Sequence, residues 1–402
     1  MAFNFSKNNS QKPFVSKAER KQINAQKKED GNRLTVKKII ARTALSIGTV
    51  IICLLITVFL GLFILVNGDC EPLRDKLVLS AMQASATKWL PGLFLPSETV
   101  DEIVASSYKV NTDVLSADEF NALLAEKEAD SKDIWENAVD GMLFETIQGG
   151  TFTGYILRVK DPSRMFVGTS SDFKQGLVGM NIFDMAKKEN AVAVINAGEF
   201  ADPGGSGTGN NPMGVTFSKG ECVWNDSLKR TFIGFDSNNK LIVTEPMTKA
   251  KAQELGIRDG VSFQNGNVLI TSEDGNITFH YADNNTGTAQ RTAIGQAADG
   301  TVILLVTDGR SASSLGATRN DVINVMFNYG AVTAGMLDGG SSSLMYYEGY
   351  IEKFGYDETK LDQYQKRGLV NRYKAFTNPR RMPTYFCVAA ETDNSEESEV
   401  NG

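Results

Sequence analysis

The sequence predicts an α+β domain, mixed and largely antiparallel with a few helices, preceded by one transmembrane helix and a helical stalk. Three observations carry this prediction. Thr43 to Val66 runs for 24 residues without a charge and is rich in Ile, Leu, Val and Phe. From about Gly141 onward, short strand-like runs alternate with turn signals, the mark of hairpins. Helical spacing is confined to a few stretches, near residues 180–189, 248–255 and 318–329.

The apolar run comes first. At about 1.5 Å per residue it reaches roughly 36 Å, enough to cross a hydrocarbon core of about 30 Å. A cleaved signal peptide has a shorter apolar region and a small-residue cleavage site, and lacks so long a leader. Residues 1–42 hold eleven Lys/Arg against three Asp/Glu, whereas the rest of the chain holds 30 against 45. Lys37, Lys38 and Arg42 precede the run, and Asp69 and Glu71 follow it. The positive-inside rule therefore predicts a single-pass cell-membrane protein with a cytoplasmic N-terminus and an extracellular C-terminal domain. The basic tail at 1–42, expected to be disordered over 1–36, is explained as a solvated anchor that needs no nucleic-acid partner.

Residues 67–140 read as a juxtamembrane helix (Leu73 to Leu95) and an acidic stalk with one helix from Ala117 to Lys132. The main domain is expected over 141–390, followed by an acidic tail at 391–402. Strands are expected at 153–159, 164–167, 214–217, 231–235 and 241–243. Ser237-Asn238-Asn239-Lys240 and Asp299-Gly300 are good hairpin connections.

Chemistry is expected where apolar strands surface. Thr318-Arg319-Asn320-Asp321 has the form of a capping box, followed by Val322, Val325, Met326 and Tyr329 at helical spacing and a stop at Gly330. The buried strand Ala331 to Leu337 then delivers Asp338, Gly339, Gly340, Ser341 and Ser342. Glycines let a ligand approach the backbone, and successive N–H groups there form an anion-binding nest. Ala191 to Ile195 likewise runs into Asn196-Ala197-Gly198-Glu199, and Thr301 to Thr307 into Asp308-Gly309-Arg310. One such ending alone reads better as a turn with a backbone-capping Asn or Asp. Three in one domain point to a shared cleft, with Arg291 on the strand hairpinned before Asp308 as a further member. Arg291 and Arg310 can present planar forks to phosphate or carboxylate oxygens. Glu199, Asp308 and Asp338 offer the paired carboxylates of glycoside hydrolysis.

The remaining signals mostly exclude. His280 is the single histidine and lies in an alternating, strand-like run, so a Ser–His–Asp triad on Ser341 or Ser342 is disfavoured. No Cys/His spacing suggests zinc, no cofactor is implied, and assistance by a divalent metal stays open. Cys222 and Cys387 leave open either a bridge or free buried thiols. Residues 202–211 form a glycine loop, either a mobile rim or plain connection, and no P-loop lysine follows it.

At these residues the chain resembles the phosphodiester glycosidase family, whose animal member is an uncovering enzyme. That animal enzyme removes N-acetylglucosamine from a phosphodiester on lysosomal-enzyme glycans, and bacterial members are often labelled exopolysaccharide biosynthesis proteins. The resemblance covers about residues 150–390. It rests on the ordered series Ile195 to Phe200, Pro212-Met213-Gly214, Arg291 to Gly295, Asp308-Gly309-Arg310, Gly316-Ala317-Thr318, Leu337 to Ser342 and Arg381 to Thr384. Many relatives carry an aromatic residue where this chain has Glu199. The resemblance implies a cleft for a sugar 1-phosphodiester. Asp338 is expected as nucleophile or base, with Asp308 or Glu199 as its partner. Asn196, Arg291, Arg310, Thr318, Gly339, Gly340, Ser341 and Ser342 are expected to bind substrate or phosphate. The expected partners are that substrate or a polysaccharide and, through 43–66, the bilayer; oligomeric state stays open. A non-catalytic polysaccharide-binding or assembly protein is the alternative, and a serine hydrolase on Ser341 or Ser342 ranks third.

Overall fold

The computed structural model describes residues 15–68, 71–82, 87–107, 110–128, 134–170, 173, 177–202, 209–282, 287–311, 314–373 and 378–391. The chain divides into two compact units, Met1–Gly68 and Asp69–Gly402.

In the first unit one helix spans Lys17–Asn67. Ser16 caps it, accepting from the Glu19 N–H while the Glu19 carboxylate takes the Ser16 N–H. The part Lys38–Asn67 is long and apolar enough to be a membrane span or signal anchor. The expectation of disorder up to residue 36 is thus corrected from Lys17 onward, while residues 1–14 lie outside the described residues. Once an apolar helix is nucleated, Lys, Glu, Gln and Arg extend it at little further cost.

The second unit is built on three antiparallel sheets. The largest has eight strands, in the order Val110–Ser116, Asn276–Ala282, Val268–Glu273, Ala331–Met336, Thr292–Ala297, Val302–Thr307, Thr153–Val159 and Met142–Gln148. A five-stranded sheet is centred on Ile257–Phe263, and a four-stranded sheet pairs Ala191–Asn196 with Thr384–Ala389 and Met345–Tyr347. The two expected hairpins are present: Thr231–Asp236 pairs with Leu241–Thr244, and Thr292–Ala297 with Val302–Thr307.

The large sheet is a middle layer, and its strands feed two cores by alternation. Val302, Leu304 and Val306 point into a core shared with the two smaller sheets, through residues such as Ile195, Val261 and Phe386. Ile303 and Leu305 point the other way, onto Val322, Ile323 and Met326 of the helix Arg319–Asn328 and onto Phe120 of the helix Ala117–Glu128. Every residue of Val302–Thr307 is buried, and each large aliphatic there contributes about 1.5–3 kcal/mol.

The region expected as a stalk departs from expectation. Helices form at Glu71–Met82, Ser97–Ser107 and Ala117–Glu128, but Val110–Ser116 is an edge strand of the large sheet, paired in register with Asn276–Ala282. Residue 140 is therefore no boundary. Such an edge strand needs few inward apolar residues, here Leu115, so its alternation is too weak to read. The described cysteines Cys53, Cys222 and Cys387 are free thiols, which resolves the open pairing against a bridge. Within the glycine loop, residues 203–208 lie outside the described residues. Phe200–Ala201 and Asn211–Pro212 on either side of them pair as a short ribbon. Residues 392–402 of the acidic tail are also outside.

Candidate active site

The site begins with a buried clamp. Asn196 ends its strand fully buried, and its amide makes three hydrogen bonds within the protein. Its Oδ1 accepts from the Thr292 hydroxyl at 2.9 Å and the Leu344 N–H at 3.0 Å, and its Nδ2 donates to the Asp338 carbonyl at 2.6 Å. The Asp338 N–H in turn donates to the Ala197 carbonyl at 3.0 Å. One side chain thereby ties the four-stranded sheet, the large sheet and the Asp338 loop together. Asn196 positions the loop; its side chain is spent on protein rather than offered to a ligand.

Beyond Asp338 the chain turns tightly. Gly340 has φ +63° and donates its N–H to the Gln290 carbonyl at 2.9 Å. An L side chain is costly in that left-handed region. Gly340→Ala is expected to lower stability by about 1–2 kcal/mol, read from thermal unfolding of the full chain in detergent.

The Asp338 carboxyl is pushed up to about 6. Its withdrawal from water is the main cause, and the nearby Glu199 charge adds to it. Three groups oppose the rise: a hydrogen bond from Ser342, the positive charge of Arg380 and the Gly339 N–H. Arg380 donates to the Ser342 hydroxyl at 2.9 Å and pairs with Asp202 at 2.7 Å, so Arg380, Ser342 and Asp338 form a relay. Glu199 is itself held by Arg230 at 2.7 Å. Because the Ser342 hydrogen bond favours the ionised carboxylate, Ser342→Ala is expected to raise the Asp338 pKa further. The acid limb of an activity–pH profile should then move to higher pH, and an unmoved limb would show that Ser342 does not act through Asp338.

Asp338, Gly339 and Gly340 line a cavity of about 230 Å³ together with Arg291, Arg319 and Lys88. Both arginines are buried and are held in part by backbone carbonyls. Arg291 donates to Ala317 at 3.1 Å and to Gly287 at 2.5 Å, and Arg319 donates to Gly266 and Val268. Burial brings the Arg319 guanidinium down to about 10, which leaves it charged at neutral pH. The wall is completed by Leu79 and Met82 of the helix Glu71–Met82. At Gly287 the approach of that helix is so close that a Cβ would lie 2.2 Å from the Ser80 nitrogen. Three cations against one carboxylate favour an anionic ligand here.

Other expected site residues are placed elsewhere. Asp308 lines a different cavity, where it accepts from the Tyr155 hydroxyl at 2.8 Å and the Arg372 N–H at 3.1 Å. Strand alternation explains the separation. Residue 308 continues the set 302, 304 and 306, which faces the core of the smaller sheets, whereas Arg291 and Asp338 continue the set of Ala293 and Met336 on the opposite face. Arg310 is exposed, has φ +56° and lines neither cavity. Thr318 is spent on the capping box, its hydroxyl donating to the Asp321 carboxylate at 2.6 Å. Ser341 offers its carbonyl to the Tyr373 hydroxyl at 3.1 Å. His280 meets Thr271 at 3.0 Å on its own sheet and lines neither cavity.

The sequence reading missed Arg319, Arg380 and Lys88. Arg319 was visible only as the first residue of a capped helix, and Arg380 stands one place before the Arg381 to Thr384 stretch. Nothing local marks either as facing the Asp338 loop.

A family model described as phosphodiester glycosidase matches residues 189–389, half of the 402-residue chain. The chain belongs to the phosphodiester glycosidase family. The catalytic domain of zebrafish N-acetylglucosamine-1-phosphodiester alpha-N-acetylglucosaminidase, auto-inhibited by its pro-peptide, is similar at 18% identity. That likeness has a TM-score of 0.45 over 70% of this chain and 88% of that one. A hypothetical protein from Synechocystis is similar at 13% identity and a TM-score of 0.42, over 65% of this chain and 64% of that one. The SPbeta prophage-derived uncharacterized protein YomE of Bacillus subtilis (strain 168) is 44% identical over 59 residues, which is 15% of this chain. The match spans 9% of that curated relative's length. The phosphodiester glycosidase match takes in Asn196, Glu199, Arg291, Arg319, Arg380 and the Asp338–Ser342 loop, and leaves Lys88 outside.

Proposed function

We propose that this chain is a membrane-anchored glycosidase that hydrolyses the bond between a sugar anomeric carbon and a phosphodiester oxygen, of the N-acetylglucosamine-1-phosphodiester type. Its substrate is a cell-surface or exopolysaccharide glycan, met by a C-terminal domain outside the membrane with the N-terminus in the cytoplasm. The observation that carries the reading is one carboxylate that shares a cavity with two buried arginines in a chain of this family.

A phosphomonoester leaves well, so the site has less need of a strong general acid than of cations that steady the departing phosphate. Arg291, Arg319 and Lys88 take that role, replacing the expected pair Arg291 and Arg310. Asp338 meets the oxocarbenium-like carbon, as nucleophile or as base for the attacking water. Glu199 is its partner in preference to Asp308, because Glu199 is the carboxylate whose charge reaches Asp338. Water supplies the hydroxyl that ends on the sugar and the proton that ends on the phosphate side. Asp338 acts ionised, so turnover rises as pH passes through about 6.

The test is to incubate the full chain in detergent with an N-acetylglucosamine-1-phosphodiester and follow released reducing sugar. Steady release supports the reading. Saturable binding without release would favour the non-catalytic alternative.

A further inference from the structure

The second cavity has about 410 Å³, within the range of small-molecule sites (roughly 300–1,000 Å³). Phe144, Tyr350 and Tyr356 line it, with ring centroids 5.4–6.2 Å apart and mutually tilted. Asp308, just past the end of its strand and 7% exposed, lines the same cavity. Its two oxygens each accept one protein hydrogen bond, from Tyr155 and from Arg372, and a carboxylate can accept about four. Tyr350 is 1% exposed, and its hydroxyl finds no hydrogen-bond partner. The hydroxyl oxygen itself is closed to the space, so Tyr350 offers the cavity its ring rather than a hydrogen bond.

From this we infer that the Asp308 cavity is a saccharide subsite, separate from the Asp338 cavity, which takes one uncharged pyranose ring of a glycan. The ring's apolar C–H faces carry slight positive charge and fit the negative faces of the aromatic side chains. Its hydroxyls donate to the free lone pairs of Asp308. Burial of the Asp308 carboxylate argues against an anionic group this deep, while exposed Arg372 at the rim can meet a phosphate on the neighbouring unit. The segment that carries Arg372 also joins the two sites. Asn371 donates to the Ser343 carbonyl at 3.1 Å and accepts from the Met345 N–H at 3.0 Å, and the Tyr373 hydroxyl reaches Ser341. A glycan ring held at Asp308 would thus lie beside the loop that carries Asp338. The choice of a saccharide as ligand rests on the glycosidase reading; the existence of a binding site does not.

The experiment titrates the full chain in detergent with the neutral disaccharide of N-acetylglucosamine, reading affinity by calorimetry and ligand contacts by saturation-transfer NMR. Saturable binding is expected. Asp308→Asn removes the charged acceptor that the ring's hydroxyls meet, so it should weaken binding about fivefold without lowering the melting temperature. Tyr356→Ala should weaken it at least tenfold. Equal affinity in wild type and both variants overturns the subsite, as does absence of saturation in wild type. Saturable binding of choline in place of the disaccharide, lost in Tyr356→Ala, would make the cavity an ammonium cage and overturn the saccharide assignment. Asp338→Asn, titrated in parallel, keeps the two ideas apart. If it retains full turnover, the catalytic reading fails while the binding result stands.

Discussion

Asp338→Asn is expected to lower turnover of a sugar 1-phosphodiester by about a thousandfold, the middle of the roughly 10²–10⁴ range for a positioned acid–base group. The amide keeps the shape of the carboxyl and can keep a hydrogen bond with Ser342, so the loop should hold its place. What it loses is the negative charge that faces the anomeric carbon. The carboxyl is held up near 6 chiefly by its removal from water, so replacing it relieves a desolvation cost at neutral pH. The melting temperature of the variant should therefore stay level or rise. Reducing-sugar release and thermal unfolding on the same sample check both halves. Undiminished turnover would remove Asp338 from the chemistry.

Asn196→Ala is expected to cost about 3 kcal/mol, from partners left unsatisfied in a dry interior at roughly 1–3 kcal/mol each. The Thr292 hydroxyl and the Leu344 N–H lose their acceptor, and the Asp338 carbonyl loses its donor. The clamp joins two sheets, so the damage should reach the site as well as the fold. Turnover should fall with kcat more than KM, because the loop that presents Asp338 is no longer held at one position. Denaturant unfolding gives the stability change, and steady-state kinetics give the split. A variant as stable as wild type would show that the sheets are held together by their apolar cores alone.

Much of the strand framework was legible because its runs are long and wholly apolar. Val302–Thr307, Ala331–Met336 and Ala191–Asn196 each read as buried strands, and the capping box at Thr318 and Asp321 formed as expected. The edge strand Val110–Ser116 was not legible, because a strand with solvent on one side need not repeat apolar residues. At the site, the Asp338-Gly339-Gly340 loop stood out by its glycines after a buried strand. Asp308 and Arg310 stood out for the same reason, yet neither lines the Asp338 cavity.

The chain's own order of residues determined the apolar span, the strands and the glycine-bearing strand ends, since each depends on periodicity within a few turns or residues. Tertiary structure alone decided which strand ends share a cavity. Neighbouring residues of a strand face opposite sides of the sheet, so one step in register sends Asp308 to the aromatic cavity and keeps Arg291 with Asp338. Only packing of distant segments could add Arg319, Arg380 and Lys88, which come from a helix start, a late loop and the stretch after the apolar helix.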